Sequence, residues 1–233
     1  ESYYSYENGV FSVKKAYEDS VYIAFANNKF PYAIMRTELF KVKTEKDSKL
    51  NDKIISFSTS INPGEAIAFS VGALGASPEN PVEFFVDFGD NTQQSFKATS
   101  AYSTQTANVI GTKAGYGQVI IYAPEGVQIT AFETTNIPMY SIDVTKAPTL
   151  RSLCIPNAGL YSIDLSWNRC LEKLNLSGNN LSSLSLAGCN SNYDKNVLSN
   201  INLSNNQLSD LFLNDMRAID YLNLSNNQLS DDD

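Results

Sequence analysis

Any chemistry in this chain must come from carboxylates, lysines, thiols or hydroxyls, because its 233 residues include no histidine. That removes the commonest general base, the usual partner of a nucleophilic serine and the usual zinc ligand. The 25 Asp and Glu residues show no local pattern. A carboxylate pair assembled from distant positions stays formally open, as does Ser–Lys chemistry. The cysteines, Cys154, Cys170 and Cys189, lack the C-x-x-C spacing of zinc sites. They read as unpaired thiols serving as small apolar fillers, Cys189 facing inward and Cys154 outward. One local carboxylate pair stands out, in Val86-Asp87-Phe88-Gly89-Asp90-Asn91-Thr92. Asp87 and Asp90 could offer oxygens to calcium, or could accept backbone amides in a hairpin turn. Calcium takes about six to eight oxygens and this segment supplies few, which favours the turn. No catalytic residue, metal or cofactor is expected.

The residues that could bind rather than react lie in columns, and a repeat sets the columns. Leu171-Glu-Lys-Leu174-Asn-Leu176-Ser-Gly-Asn179-Asn-Leu181 recurs at Leu198 to Leu208 and at Ile219 to Leu229. Leu150 to Leu160 is an earlier copy, with Ala158 where the others have Asn. The leads, 150, 171, 198 and 219, step by 21, 27 and 21, the long step holding the insertion Asn190 to Asn196. A weaker fifth copy is readable at Ile129, Phe132 and Met139, with Ile137 in the asparagine position. Each unit has a second apolar half: Ile163-Asp-Leu165, Leu184-Ser-Leu186 and Leu211-Phe-Leu213. One unit cannot bury its leucines alone, whereas units stacked roughly 4.8 Å apart bury them against each other. The aligned Asn179, Asn206 and Asn227 should point inward, each amide satisfying backbone groups where the chain leaves the strand.

Between two inward leucines the side chain must face out. That column is Cys154, Asn175, Asn202 and Asn223, flanked by Ser152, Lys173, Asn200 and Tyr221, and by Ser177, Ser204 and Ser225. The face is small, polar and nearly uncharged. Its asparagines either bond one another or serve a polar ligand, a glycan or a protein loop. We take Lys173, Asn175, Asn202, Tyr221 and Asn223 as its candidate ligand contacts. A second patch comes from Tyr140 and Tyr161, spaced 21 residues apart, with Asp143 and Asp164 beside them. Aromatics next to carboxylates suit carbohydrate or protein contacts, or else form a packed pair covering an edge. Tyr193 in the insertion and Trp167 are single candidates.

The repeat resembles the leucine-rich repeat family over residues ~129–233, close to the 21-residue variety in secreted or surface proteins of gut bacteria. Ala158, the insertion after Cys189 and the degenerate first copy depart from the pattern. The resemblance implies a solenoid and is nearly silent on function.

Residues 1–128 differ. Val21 to Phe25, Ile54 to Ser60, Ala66 to Val71, Val82 to Phe88, Gln93 to Thr99 and Gln118 to Tyr122 alternate or run apolar between turn residues, as strands do. The Val86 to Thr92 segment resembles the W-D-F-G-D-G-T segment of PKD-like, immunoglobulin-type sandwiches, with Val86 and Asn91 departing from it. That resemblance covers about residues 52–126. A similar sandwich often precedes such repeats in gut-bacterial surface proteins. It is expected to cover the first coil from Pro124 onward, with Asp231 to Asp233 discouraging edge pairing at the other end. Glu1 to Tyr6 reads as a tether, Lys14 to Glu18 as a turn at best, and Lys41 to Lys53 as a linker or exposed loop.

The expected fold is therefore mainly β: strands or a tether over 1–50, a PKD-like β-sandwich over 51–126 and a short leucine-rich-repeat solenoid over 127–233. The net charge of −8 and sequence pI of about 4.6 argue against nucleic acid and anionic membranes. No apolar run approaches the ~18 residues of a membrane span. Together with the resemblance, these features suggest a mature secreted or surface protein, lipid-anchored or not. It is read as an adhesion or recognition module for a protein or glycan, with no enzyme activity. The alternatives are a glycan-binding accessory of a polysaccharide-degrading system, a spacer with no ligand, and an enzyme with a carboxylate pair in the sandwich.

Overall fold

The computed structural model describes residues 51–102, 106–187, 189, 198–213 and 219–230, together with the backbone of four strands before residue 37. Lys14 to Glu18, residues 41–50 of the loop expected over 41–53, the insertion with Tyr193, and Asp231 to Asp233 lie outside the described residues, while Asp52 and Lys53 of that loop are in a strand. Two compact units are present, Glu1–Leu50 and Asn51–Asp233. In the first, β1 (Tyr4–Glu7) pairs antiparallel with β2 (Val10–Val13), and β3 (Ala24–Asn27) with β4 (Phe30–Arg36). Tyr4 to Tyr6, expected in a tether, thus sit in a strand.

The second unit begins with β5 (Asp52–Thr59), β6 (Ala66–Ala73), β7 (Val82–Asp87), β8 (Gln94–Ala98), β9 (Val109–Thr112), β10 (Val119–Ala123), β11 (Ile129–Thr134) and β12 (Met139–Asp143). Short strands follow: β13 (Ser152–Cys154), β14 (Lys173–Asn175), β15 (Ser183–Ser185), β16 (Asn200–Asn202), β17 (Asp210–Phe212) and β18 (Tyr221–Asn223). The fold is mainly β, and no helix occurs among the described residues. None is long and apolar enough to cross a membrane.

Two sheets carry the core. One has the order β12-β5-β10-β7-β8, the other β18-β16-β14-β13-β11-β6-β9. Alternation makes the first: Val119, Ile121 and Ala123 on β10 are buried while Ile120 and Tyr122 are only partly so. Phe57 on β5 meets Phe69 on β6 at 5.8 Å and Phe132 on β11 at 5.9 Å, centroid to centroid, locking the sheets face to face. Each such ring contributes roughly 1.5–3 kcal/mol by burial.

The second sheet changes character midway. β9, β6 and β11 pair antiparallel, and from β11 onward every pairing is parallel. Phe132, Leu153, Leu174, Ile201 and Leu222 fall level on successive strands. The degenerate first copy is thus the joint: β11 bonds to β6 on one side and to β13 on the other, while β12 from the same copy pairs with β5 in the opposite sheet. One hydrophobic core runs from Ile55 to Leu208 without a break at residue 126.

Inward asparagines tie the parallel strands' exits together. Asn206 Oδ1 accepts the Leu181 N–H at 3.1 Å, and its Nδ2 donates to the carbonyls of Leu176 and Leu203 at 2.9 and 3.0 Å. Asn179 and Asn227 repeat the pattern one unit earlier and later. Such pairing is what a buried amide requires.

Candidate functional site

The outward face of the parallel strands brings five of the sequence candidates together. Lys173, Asn200 and Tyr221 are level across β14, β16 and β18, and Asn175, Asn202 and Asn223 form the adjacent row. The asparagines do not bond to one another. Asn175 Oδ1 accepts both the N–H and the hydroxyl of Ser177, at 3.1 and 2.7 Å. Asn202 does the same with Ser204, and Asn223 with Ser225. A backbone N–H can only donate, so the amide oxygen must face it and each Nδ2 points the other way. The Ser column read from sequence as part of the face is thus the lock that orients the asparagine column.

The face does not extend to the first copies as expected. Ser152 and Cys154 project to this side yet are buried. Residues 100–102 are tied down beside them: Thr130 Oγ1 donates to Ala101 O at 2.5 Å, and Arg151 donates to Tyr102 Oη at 3.2 Å. Beneath, Ser152 Oγ donates to Glu133 Oε1 at 2.7 Å, and Lys173 Nζ lies 3.8 Å from the same oxygen. Burial, with Glu133 nearby, pushes the Cys154 thiol up to about 11. It is no thiolate nucleophile. Burial alone pushes Cys189 up to about 12, and none of the three cysteines is in a disulfide. The sequence signal for the closed end was Cys154 itself, the one member of its column that is not asparagine.

Tyr140, Tyr161, Asp143 and Asp164 lie elsewhere. Tyr140 and Asp143 are on β12 of the other sheet, with Tyr161 and Asp164 one repeat further on. The two tyrosines are 71% and 72% exposed and do not stack on each other, unlike the packed pair that the spacing allowed. Asp143 Oδ1 accepts the hydroxyl and N–H of Thr145 at 2.7 and 3.0 Å, which holds its carboxyl below the ordinary value. Asp164 is lowered in the same way by the N–H and then the hydroxyl of Ser166. Trp167, also exposed, carries the Arg169 guanidinium 5.5 Å from its ring centroid. The nine candidates therefore form two separate surfaces.

Asp87 and Asp90 hold a turn. Asp87 is buried, and its Oδ1 accepts the N–H groups of Gly89, Asp90 and Asn91 at 2.7, 3.1 and 3.1 Å. Asp90 accepts the hydroxyl and N–H of Thr92, which lowers its pKa. Sequence reading missed the third member, Lys113, which is 2% exposed. Its ammonium donates to the carbonyls of Phe88 at 3.0 Å, Gly117 at 2.7 Å, and Gly115. Burial lowers its pKa, against the pull of Asp87 and Asp90. Asp87 Oδ1 and Asp90 Oδ1 are taken by backbone and Thr92 donors, and the carbonyls of Phe88, Gly115 and Gly117 accept from the lysine. Among the described residues no group of three or more His, Cys, Asp or Glu side chains is gathered as for a metal.

Comparison with family models, curated proteins and solved structures returns no match.

Proposed function

We propose that residues 129–230 form a short leucine-rich-repeat solenoid, joined through β11 to an immunoglobulin-type, PKD-like sandwich, and that the chain is a bacterial surface or secreted recognition module. It binds a protein or glycan through the outward face of β14, β16 and β18. One observation carries this reading: a row of amide groups oriented by their own serines, with donors left pointing outward in strand register. The inward asparagines satisfy both ends of their amides, so the outward row is a different device. The in-register parallel strands and the inward asparagine ladder support the repeat assignment. Nothing in the site calls for catalysis.

The test uses the whole chain immobilised and exposed to host mucus and serum, beside a glycan array, with Lys173→Glu/Tyr221→Ala as the face variant. Binding lost in that variant supports the reading. Binding that survives it but disappears in Tyr140→Ala/Tyr161→Ala transfers the function to the aromatic patch, whose exposed rings and ionised carboxylates make it the second reading. Capture of nothing by either route leaves the chain a spacer.

A further inference from the structure

The asparagine row has a definite hydrogen-bond polarity. Each Oδ1 of Asn175, Asn202 and Asn223 already accepts two bonds from its serine. What remains outward is three Nδ2 groups, donors only, at the roughly 4.8 Å spacing of paired strands. A ligand hydroxyl laid on this row could accept but would find no acceptor among the three amides for its own proton. The matching ligand atoms are acceptor-only oxygens, which biological polymers offer chiefly as anionic groups (carboxylates, phosphates and sulfates) and as neutral amide carbonyls.

Charge separates the two. Along these strands Arg151 and Lys173 are set against Glu133, Glu172 and Asp220, and both cations are already in ion pairs, at 3.3 and 3.8 Å. The whole chain carries −8. A polymer of carboxylates meets no net positive field here. Spacing then separates peptide from sugar amides. In an extended peptide the carbonyls on one side recur at about 6.6–6.8 Å, out of step with the row. An acetamide hangs from its sugar ring outside the chain's backbone, so it can offer its carbonyl to one amide of the row without the fixed repeat of a peptide. Tyr221, on the adjacent row and 47% exposed, adds an apolar ring for a sugar face or acetyl methyl.

We propose that this face binds a neutral glycan bearing N-acetyl groups, with acetamide carbonyls accepting from Nδ2 of Asn175, Asn202 and Asn223. The proposal rests on the recognition reading above and deepens it. The fold contains its own control: Asp143 and Asp90 make with Thr145 and Thr92 the same two-bond cap that the asparagines make with their serines. Asn202→Asp therefore keeps the lock on Ser204 and replaces the outward N–H donors by a carboxylate oxygen.

The experiment is calorimetric titration of the whole chain with the tetramer of N-acetylglucosamine. Cellotetraose, which has a hydroxyl in place of each acetamide, and tetragalacturonate, which carries carboxylates, are the comparison ligands. The acetylated tetramer should bind at least about tenfold more tightly than either, a difference of ~1.4 kcal/mol. Asn202→Asp should lose at least about tenfold in affinity with an unchanged melting temperature. Equal binding of cellotetraose, tighter binding of the uronate, or undiminished binding by Asn202→Asp overturns the acetamide assignment while leaving the recognition reading to its own test. Absence of binding by all three sugars overturns the assignment as well. Mucus or serum capture lost in the Lys173→Glu/Tyr221→Ala variant then shows whether the face binds something else.

Discussion

Replacing Lys113 by methionine should destabilise residues 51–230 by about 2–4 kcal/mol, a figure that follows from the hydrogen-bond geometry. The ammonium holds three carbonyls, and bonds from a charged donor are worth ~1.5–3 kcal/mol each, an upper bound near 9 kcal/mol in all. Two offsets reduce it. Phe88 O keeps the N–H of Ala114 at 3.0 Å, and Gly117 belongs to an exposed loop where water can replace the lysine. Methionine also avoids the several kcal/mol of desolvating an ammonium. What cannot be recovered is the tie between the turn after β7 and the loop after β9, and the positive charge near buried Asp87. Urea unfolding followed by fluorescence gives the difference, with the slope as a check that the unfolded state is unchanged. A loss below about 0.5 kcal/mol, or a gain, would refute the reasoning, because it would mean that the cage stabilises no more than an apolar filler does.

Asn206→Ala strands the Leu181 N–H in a dry interior, while the carbonyls of Leu176 and Leu203 keep their bonds from Asn179 and Asn227, so it should cost about 1–3 kcal/mol in the same assay and leave any ligand affinity unchanged. Iodoacetamide on the native protein should label the partly exposed Cys170 first, with Cys154 and Cys189 reacting only on unfolding; mass spectrometry of digests reads this. Both buried thiols have folded pKa values above the reference 9.0, so they hold their protons more tightly folded than unfolded. Stability should therefore fall as pH rises from 9 towards 11. Asp90, Asp143 and Asp164 have folded pKa values below 3.8, so their contribution is present above that value and lost as pH falls through the folded values. Asp143→Asn should make the acid limb of the melting curve shallower.

Much of the architecture was legible in the sequence because it is local. Alternation placed β5, β6, β7, β8 and β10, and the 21-residue step placed Leu153, Leu174, Ile201 and Leu222 level. β9 was missed: Val109-Ile-Gly-Thr112 is short, and its glycine reads as a break. Gly111 is required because a Cβ there would strike the ring of Phe88. The continuous sheet was also invisible. Pairing of β6 with β11 joins segments some sixty residues apart, and no periodicity reports such a contact. Lys113 sat among Thr112, Ala114 and Gly115 and looked like a solvated loop cation, since lysines are seldom fully buried.

Asparagine shows where sequence reading stops. It recurs in three columns of the repeats, and the residue type alone does not separate them. Asn179, Asn206 and Asn227 face inward and satisfy both ends of their amides on backbone. Asn157, Asn205 and Asn226 are held at φ of 53°, 56° and 57°, the left-handed region where Asn outlasts other side chains, and Gly178 takes the matching place at 70°. Two of these side chains reach back by 21 residues, Asn157 to Asn136 and Asn226 to Asn205. Asn175, Asn202 and Asn223 face outward and bind serine with the oxygen alone. Position relative to the strand assigns the first column, backbone dihedral the second, and the residue two places on the third. Of these three, only the third leaves its Nδ2 without a protein partner among the described residues. A substitution that preserves the serine cap but removes those donors therefore probes recognition, whereas any change in the other two columns probes folding.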